Sequence, residues 1–157
     1  SRAMTQNLIS LDLPAKTLEA LDQAIAILEE VVTPFITLTA DEVRGLVKMG
    51  GKSEQFCRQT LVVLDQNQDS LPPSLKLEEV RRDLAAFDAI RPRLLRLLEV
   101  LAKMQDTQTA LGSDVLMASL EGYALMKMFG KGEGLEALRQ AMAVRRPTKA
   151  AKVVVAV

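Results

Sequence analysis

At 157 residues, with 20 basic and 20 acidic side chains, one cysteine and neither histidine nor tryptophan, the chain fits a single domain. A chain of that length buries roughly 70% of the surface it exposes when unfolded, so no disulfide or metal staple is needed. The lack of histidine excludes imidazole bases, Ser-His or Cys-His nucleophile pairs and Glu-x-x-His metal sites of the di-iron bundle type.

The apolar residues make up 48% of the chain and are mostly Leu, Ala, Met and Val, with aromatics at only 3%, which favours helices over strands. Cys57 stands alone, so it can form neither an internal disulfide nor a multi-thiolate zinc site. Next to Phe56 in an apolar-periodic run it reads as a small buried hydrophobe. A single unpaired thiol is compatible with a reducing cytoplasm, where the protein is expected. Ser1-Arg2-Ala3 before Met4 reads as an expression scar. The domain is expected over residues 4–144, and a basic then apolar tail, poorly ordered, over 145–157. No secretory signal is expected. No membrane span is expected either, because the most apolar stretch, residues 115–129, is shorter than the roughly 20 residues a bilayer requires and carries Glu121 and Lys127.

Asp12 followed by Pro14 predicts a helix start, since proline at the first helical position gives up a donor that would be unpaired anyway. Leu18, Leu21, Ile25, Leu28 and Val32 then recur at spacings of three and four, a narrow seam of the heptad kind. Pro34 ends this helix 1. Thr39-Ala40-Asp41-Glu42 is a capping box, so helix 2 starts near Ala40 and runs through Val43, Leu46 and Val47 to Gly50-Gly51. Gly50 is expected as a left-handed helix stop and Ser53 as the N-cap of the continuation, which carries Phe56, Cys57, Leu61 and Leu64. Leu71-Pro72-Pro73-Ser74 is a rigid connector.

Leu77, Val80, Leu84, Phe87, Leu94, Leu98 and Leu101 mark helix 3, kinked at Pro92. If Asn67 lies level with Leu77 in an antiparallel pair, Gly51 falls beside Arg93, and the break in helix 2 faces Pro92 across a shared bend or small recess. A helix running unbroken from 77 to 129 would be about 80 Å long, so a turn is placed near residues 105–107. Helix 4 follows and ends at Gly130-Lys131-Gly132-Glu133-Gly134. A short fifth helix shows Leu135, Leu138 and Met142 on one face. Short connections give antiparallel neighbours, hence an all-α, up-and-down four-helix bundle with a small fifth helix.

"GLVKMGGKSEQF" ends in Gly-Lys-Ser, as phosphate-binding P-loops do. The motif needs a glycine at position 46, which is Leu46, and a strand before it, where this chain has a capped helix. The whole stretch reads as a helix stop and restart. A weaker reading leaves free amides near Ser53, with Lys52, as a candidate anion site.

"LTADEVRGLVKMGGKSEQFCRQTL", with the later "PPSL", "DTQTALGSDVLMASLEGYALMK" and "GLEALR", resembles a family of small uncharacterised bacterial helical proteins with an LT-x-x-E…K-M-G-x-K-[ST]…F stretch. The likeness covers most of residues 5–140 and implies a compact helical fold with no known activity or site. In that family the position of Gly51 can be Asp, which also argues against phosphate cradling.

Asp106, Asp114 and Glu121 on helix 4 would need further carboxylates from other helices to form a metal or acid-base site, and the two aspartates sit where helix starts favour acids. No cofactor, metal or catalytic residue is expected. The better pointer is the circumference of helix 4, where Val115, Leu116, Met117, Leu120, Tyr123, Leu125, Met126, Met128 and Phe129 point almost all round, with Ala118, Gly122 and Ala124 between them. Such a helix must be covered on more than one side, by the fifth helix or by another chain. Val115, Met117, Tyr123, Met126, Met128 and Phe129 are the candidate interface. The expected function is a non-enzymatic interaction or structural module, self-associating or partner-binding through helix 4. The alternative is a small-ligand or anion-binding bundle with a recess at residues 50–53 and Pro92, using Lys52 and Ser53. The basic end, with Arg145, Arg146, Lys149 and Lys152, lacks aromatics for base stacking and reads as a solvated terminus rather than a nucleic-acid site.

Overall fold

Helix α1 spans Ala15–Val31 and begins where Pro14 holds φ −65° and ψ 155°. The proline occupies the N-cap position, one residue before the predicted one, and its carbonyl accepts from the amides of Thr17 and Leu18 at 2.9 and 3.2 Å. The computed structural model describes residues 6–145 and contains five α-helices and no strand among them. The expected scar at residues 1–3 and the tail beyond Arg145 lie outside the described residues.

Helix α2, Ala40–Gly45, opens on the predicted capping box. The Thr39 hydroxyl accepts from the Glu42 amide at 3.2 Å, and the Glu42 carboxylate accepts from the Thr39 amide at 2.7 Å. It ends well before the predicted stop, because Leu46 is already extended at φ −82° and ψ 140°. Glycine weakens the end of a helix of only six residues, and the β-branched Val47 after it does not favour continuation. Helix α3, Gly51–Gln66, starts two residues before Ser53, with Gly50 as its N-cap at φ −87° and ψ −175°. Gly50 is therefore no left-handed stop, and Ser53 is the third helical residue rather than the cap. The Glu54 amide closes the first turn on the Gly50 carbonyl at 2.7 Å.

A 3₁₀ turn, Gln68–Ser70, and the Pro72-Pro73 connector lead into helix α4, Leu77–Phe129. At 53 residues it is about 80 Å long, and it is continuous where the sequence predicted a turn at residues 105–107. Helices 3 and 4 of the prediction are one element, and the up-and-down four-helix order does not describe it. The stretch lacks proline and has one glycine, Gly112, which costs only about 1 kcal/mol relative to alanine and does not end a helix by itself. Pro92 lies inside α4, and the helix continues through it.

Antiparallel pairing of α3 with the first part of α4 matches the prediction closely. Glu54 pairs with Arg91, Arg58 with Asp88, and Asp65 with Arg81. Each partner lies one or two positions further along α4 than predicted, so Gly51 comes level with Leu94. Helix α5, Leu135–Arg145, follows a loop in which Gly130 and Gly134 hold φ of +69° and +78°. Those conformations favour glycine and end α4 where predicted.

The chain forms two compact units, Asp12–Leu101, and Ser1–Leu11 with Ala102–Val157. Helix α4 contributes to both. Within the first unit Leu77 is the most deeply buried apolar residue, and within the second it is Leu135, at 8% and 4% exposure. Cys57 is half-buried rather than buried. No helix among the described residues is long and apolar enough to cross a membrane.

Candidate functional site

The candidate interface lies on residues 115–129 of α4, and the structure divides it into two faces. At 100° per residue, Leu116, Leu120 and Tyr123 share one side. Against that side α5 sets Leu138 and Met142, and together they line an apolar groove of about 170 Å³ whose rim carries Arg145. Tyr123 is half-buried there, and the Lys127 ammonium sits 4.8 Å from its ring centroid. Met126 is also half-buried. Its Cε lies so close to Gly132 that a Cβ on that glycine would approach within 2.4 Å. Tyr123 and Met126 are thus partly covered within the chain.

The opposite side carries exposed apolar side chains around Asp114. Val115 is 66% exposed, Met128 78% and Phe129 70%, with Met117 and Leu125 also exposed. These residues are large and apolar, and the half-buried Asp114, Glu121 and Gly122 lie among them on the same side. Burying each fully would contribute about 1.5–3 kcal/mol, and thioether side chains adapt to irregular partner surfaces.

The carboxylates of the same segment do not converge. Asp114 accepts from the Leu8 amide at 2.8 Å, from the Ile9 amide at 3.2 Å and from the Gln6 side chain at 3.0 Å. Gln6 also donates to the Ser113 hydroxyl at 2.8 Å. The Leu8 amide above all, then Gln6, holds the Asp114 carboxyl below its ordinary range, because hydrogen bonds to the charged form favour it. Asp114 therefore anchors residues 6–9 and has no vacant lone pairs converging on a ligand. Nothing in the local sequence signals this role. Among the described residues no group of three or more Asp, Glu, Cys or His could hold a metal ion.

Lys52 and Ser53 are exposed in the first turn of α3. The free amides of that turn belong to residues 51–53, three positions earlier than predicted. At that level an apolar groove of about 240 Å³ is lined by Phe87, Ile90, Arg91, Leu94 and Leu95, all from α4.

Beside it lies a four-membered charge network that sequence reading missed. Glu54 accepts from Arg58 at 2.8 Å and from both terminal nitrogens of Arg91 at 3.0 and 2.8 Å, while Asp88 accepts from Arg58 at 2.5 and 3.0 Å. Arg91, then Arg58, lowers the Glu54 carboxyl to about 2, and Arg58 lowers Asp88. Glu54 in turn raises Arg91, and Asp88, then Glu54, raises Arg58. Two acids and two bases satisfy one another, so the cluster locks α3 onto α4 and supplies no acid or base near neutral pH. Only the i, i+4 spacing of Glu54 and Arg58 could have hinted at it.

Comparison of the chain with protein-family models, curated proteins and solved structures gives no match.

Proposed function

We propose that this chain is a non-enzymatic helical interaction module that self-associates or docks a partner protein through α4. The observation that carries the reading is the open apolar face of Val115, Met117, Leu125, Met128 and Phe129. α5 sets Leu138 and Met142 against a different side of the same segment. An apolar surface of this extent on a monomer marks a contact site. The mutual neutralisation of Glu54, Arg58, Asp88 and Arg91, and the anchoring role of Asp114, support a non-catalytic reading.

Light scattering after size exclusion tests it. The chain at micromolar concentration is expected to exceed its 17.2 kDa, and Met117→Glu with Met128→Glu is expected to remove subunits from the assembly. An unchanged mass in that variant sinks self-association through this face.

A further inference from the structure

Two stripes of opposite charge on different helices repeat the same spacing. Glu19, Asp22 and Glu29 on α1, and Arg93, Arg96 and Lys103 on α4, follow one another at intervals of three and then seven residues, and all six are exposed. At 100° and 1.5 Å per residue, each set falls within an arc of about 80° and along about 15 Å of its helix. Among the described residues none of the six enters an ion pair within the chain. Arg93 donates instead to the carbonyl of Ala89.

We propose that the acidic stripe of α1 docks on the basic stripe of α4 in a second copy of this chain, with the two helices parallel. Glu19 then meets the partner subunit's Arg93, Asp22 the partner subunit's Arg96 and Glu29 the partner subunit's Lys103. Each copy carries both stripes, so the contact is heterologous and every copy can give α1 and receive on α4. Exposed ion pairs contribute little each. The contact is therefore weak and salt-dependent, and its charges set partner and register more than affinity. The surface is not that of the proposed function, so either can fail alone.

Three observations commit the stripes to each other. The first is register. One constant shift in numbering aligns all three pairs in a parallel arrangement, whereas an antiparallel one that aligns Glu19 with Lys103 and Glu29 with Arg93 sets Asp22 against Val100. The second is bulk. Ala15 and Ala26 lie within the arc of the acidic stripe, and the same shift brings them opposite Ala89 and Val100 within the basic one, so no large side chain at the centre holds the helices apart. The third is what flanks the stripes. Glu99, beside the basic stripe, falls opposite Ile25, and Lys16, beside the acidic one, falls opposite Ile90. No like charges meet, as a specific electrostatic contact requires.

The test uses the full chain in the Met117→Glu/Met128→Glu background, which removes the surface of the proposed function. Equal amounts of ¹⁴N- and ¹⁵N-labelled chain are treated at low ionic strength with a carbodiimide, which joins a carboxylate to an amine in contact with it. Mass spectrometry is expected to find Glu29 joined to Lys103 in peptides of mixed isotope. The yield is expected to fade towards about 1 M salt, where charges are screened beyond about 3 Å. Charge reversal supplies the second arm. Glu19→Lys/Asp22→Lys/Glu29→Lys in one chain, or Arg93→Glu/Arg96→Glu/Lys103→Glu in another, is expected to cut the yield of linked dimer several-fold while circular dichroism stays helical, since all six sites are exposed. Mixing the two variants restores both contacts and is expected to recover the dimer. A Glu29–Lys103 link confined to single-isotope peptides, no such link at all, a yield indifferent to salt, or a mixture no better than its components overturns the proposal.

Discussion

Glu54 and Arg91 meet head-on across α3 and α4, both carboxylate oxygens accepting from both terminal guanidinium nitrogens at 3.0 and 2.8 Å. This bidentate pair fixes the rotation of α3 about its axis as well as its register, because a fork-to-fork contact has one geometry. Exchanging the two charges tests it. Glu54→Arg alone sets three arginines together and is expected to lower the melting temperature by several degrees. Adding Arg91→Glu is expected to restore most of the loss, while two effects that merely add would show no pairing.

The same network sets the response to acid. Glu54 falls from 4.5 to about 2 in the folded chain, so its contribution to stability is complete above about pH 4.5 and is lost as the pH falls towards 2. Asp88 and Asp114 are lowered as well and act in the same direction. Thermal melts from pH 7 to pH 2 are expected to show a decline below about pH 4.5 that is shallower in Glu54→Gln. Parallel declines in the two proteins would refute the assignment.

Asp114 binds residues 6–9 to α4 through backbone amides. Asp114→Asn keeps the shape but loses the charge that these donors favour. Hydrogen exchange of the Leu8 and Ile9 amides is expected to accelerate about tenfold or more, a local change rather than global unfolding, with the amides in the middle of α4 unaffected.

Gly112 separates a continuous α4 from a turn. In the structure its φ is not positive and an added Cβ meets nothing within 4 Å. Gly112→Ala is expected to stabilise the chain by about 0.5–1 kcal/mol in denaturant melts. Gly134→Ala, at φ +78°, is expected to destabilise it by about 1 kcal/mol. A destabilising Gly112→Ala would restore the turn to this region.

Several elements were legible because their causes are local. The Thr39 capping box needs only residues three apart, the left-handed Gly130 follows directly from the end of an apolar run, and antiparallel pairing of α3 with α4 follows from a short proline-stiffened connector. The all-helical class follows from leucine-rich periodicity with few aromatics. The start of α3 was misplaced by three residues because Gly50 and Ser53 are both acceptable N-caps. The continuity of α4 could not be read, since residues 105–113 carry weak break signals and whether a helix proceeds through such a stretch depends on what its neighbours bury. The role of Asp114 was hidden for the same reason, its partner Gln6 lying 108 positions away in sequence. What the sequence determined by itself was the helical class, the caps and the apolar stripes, all set by contacts within one or two turns. Only the tertiary structure decided which stripes α3 and α5 cover and which stay open, because cover is a property of the partner element and no single segment encodes it.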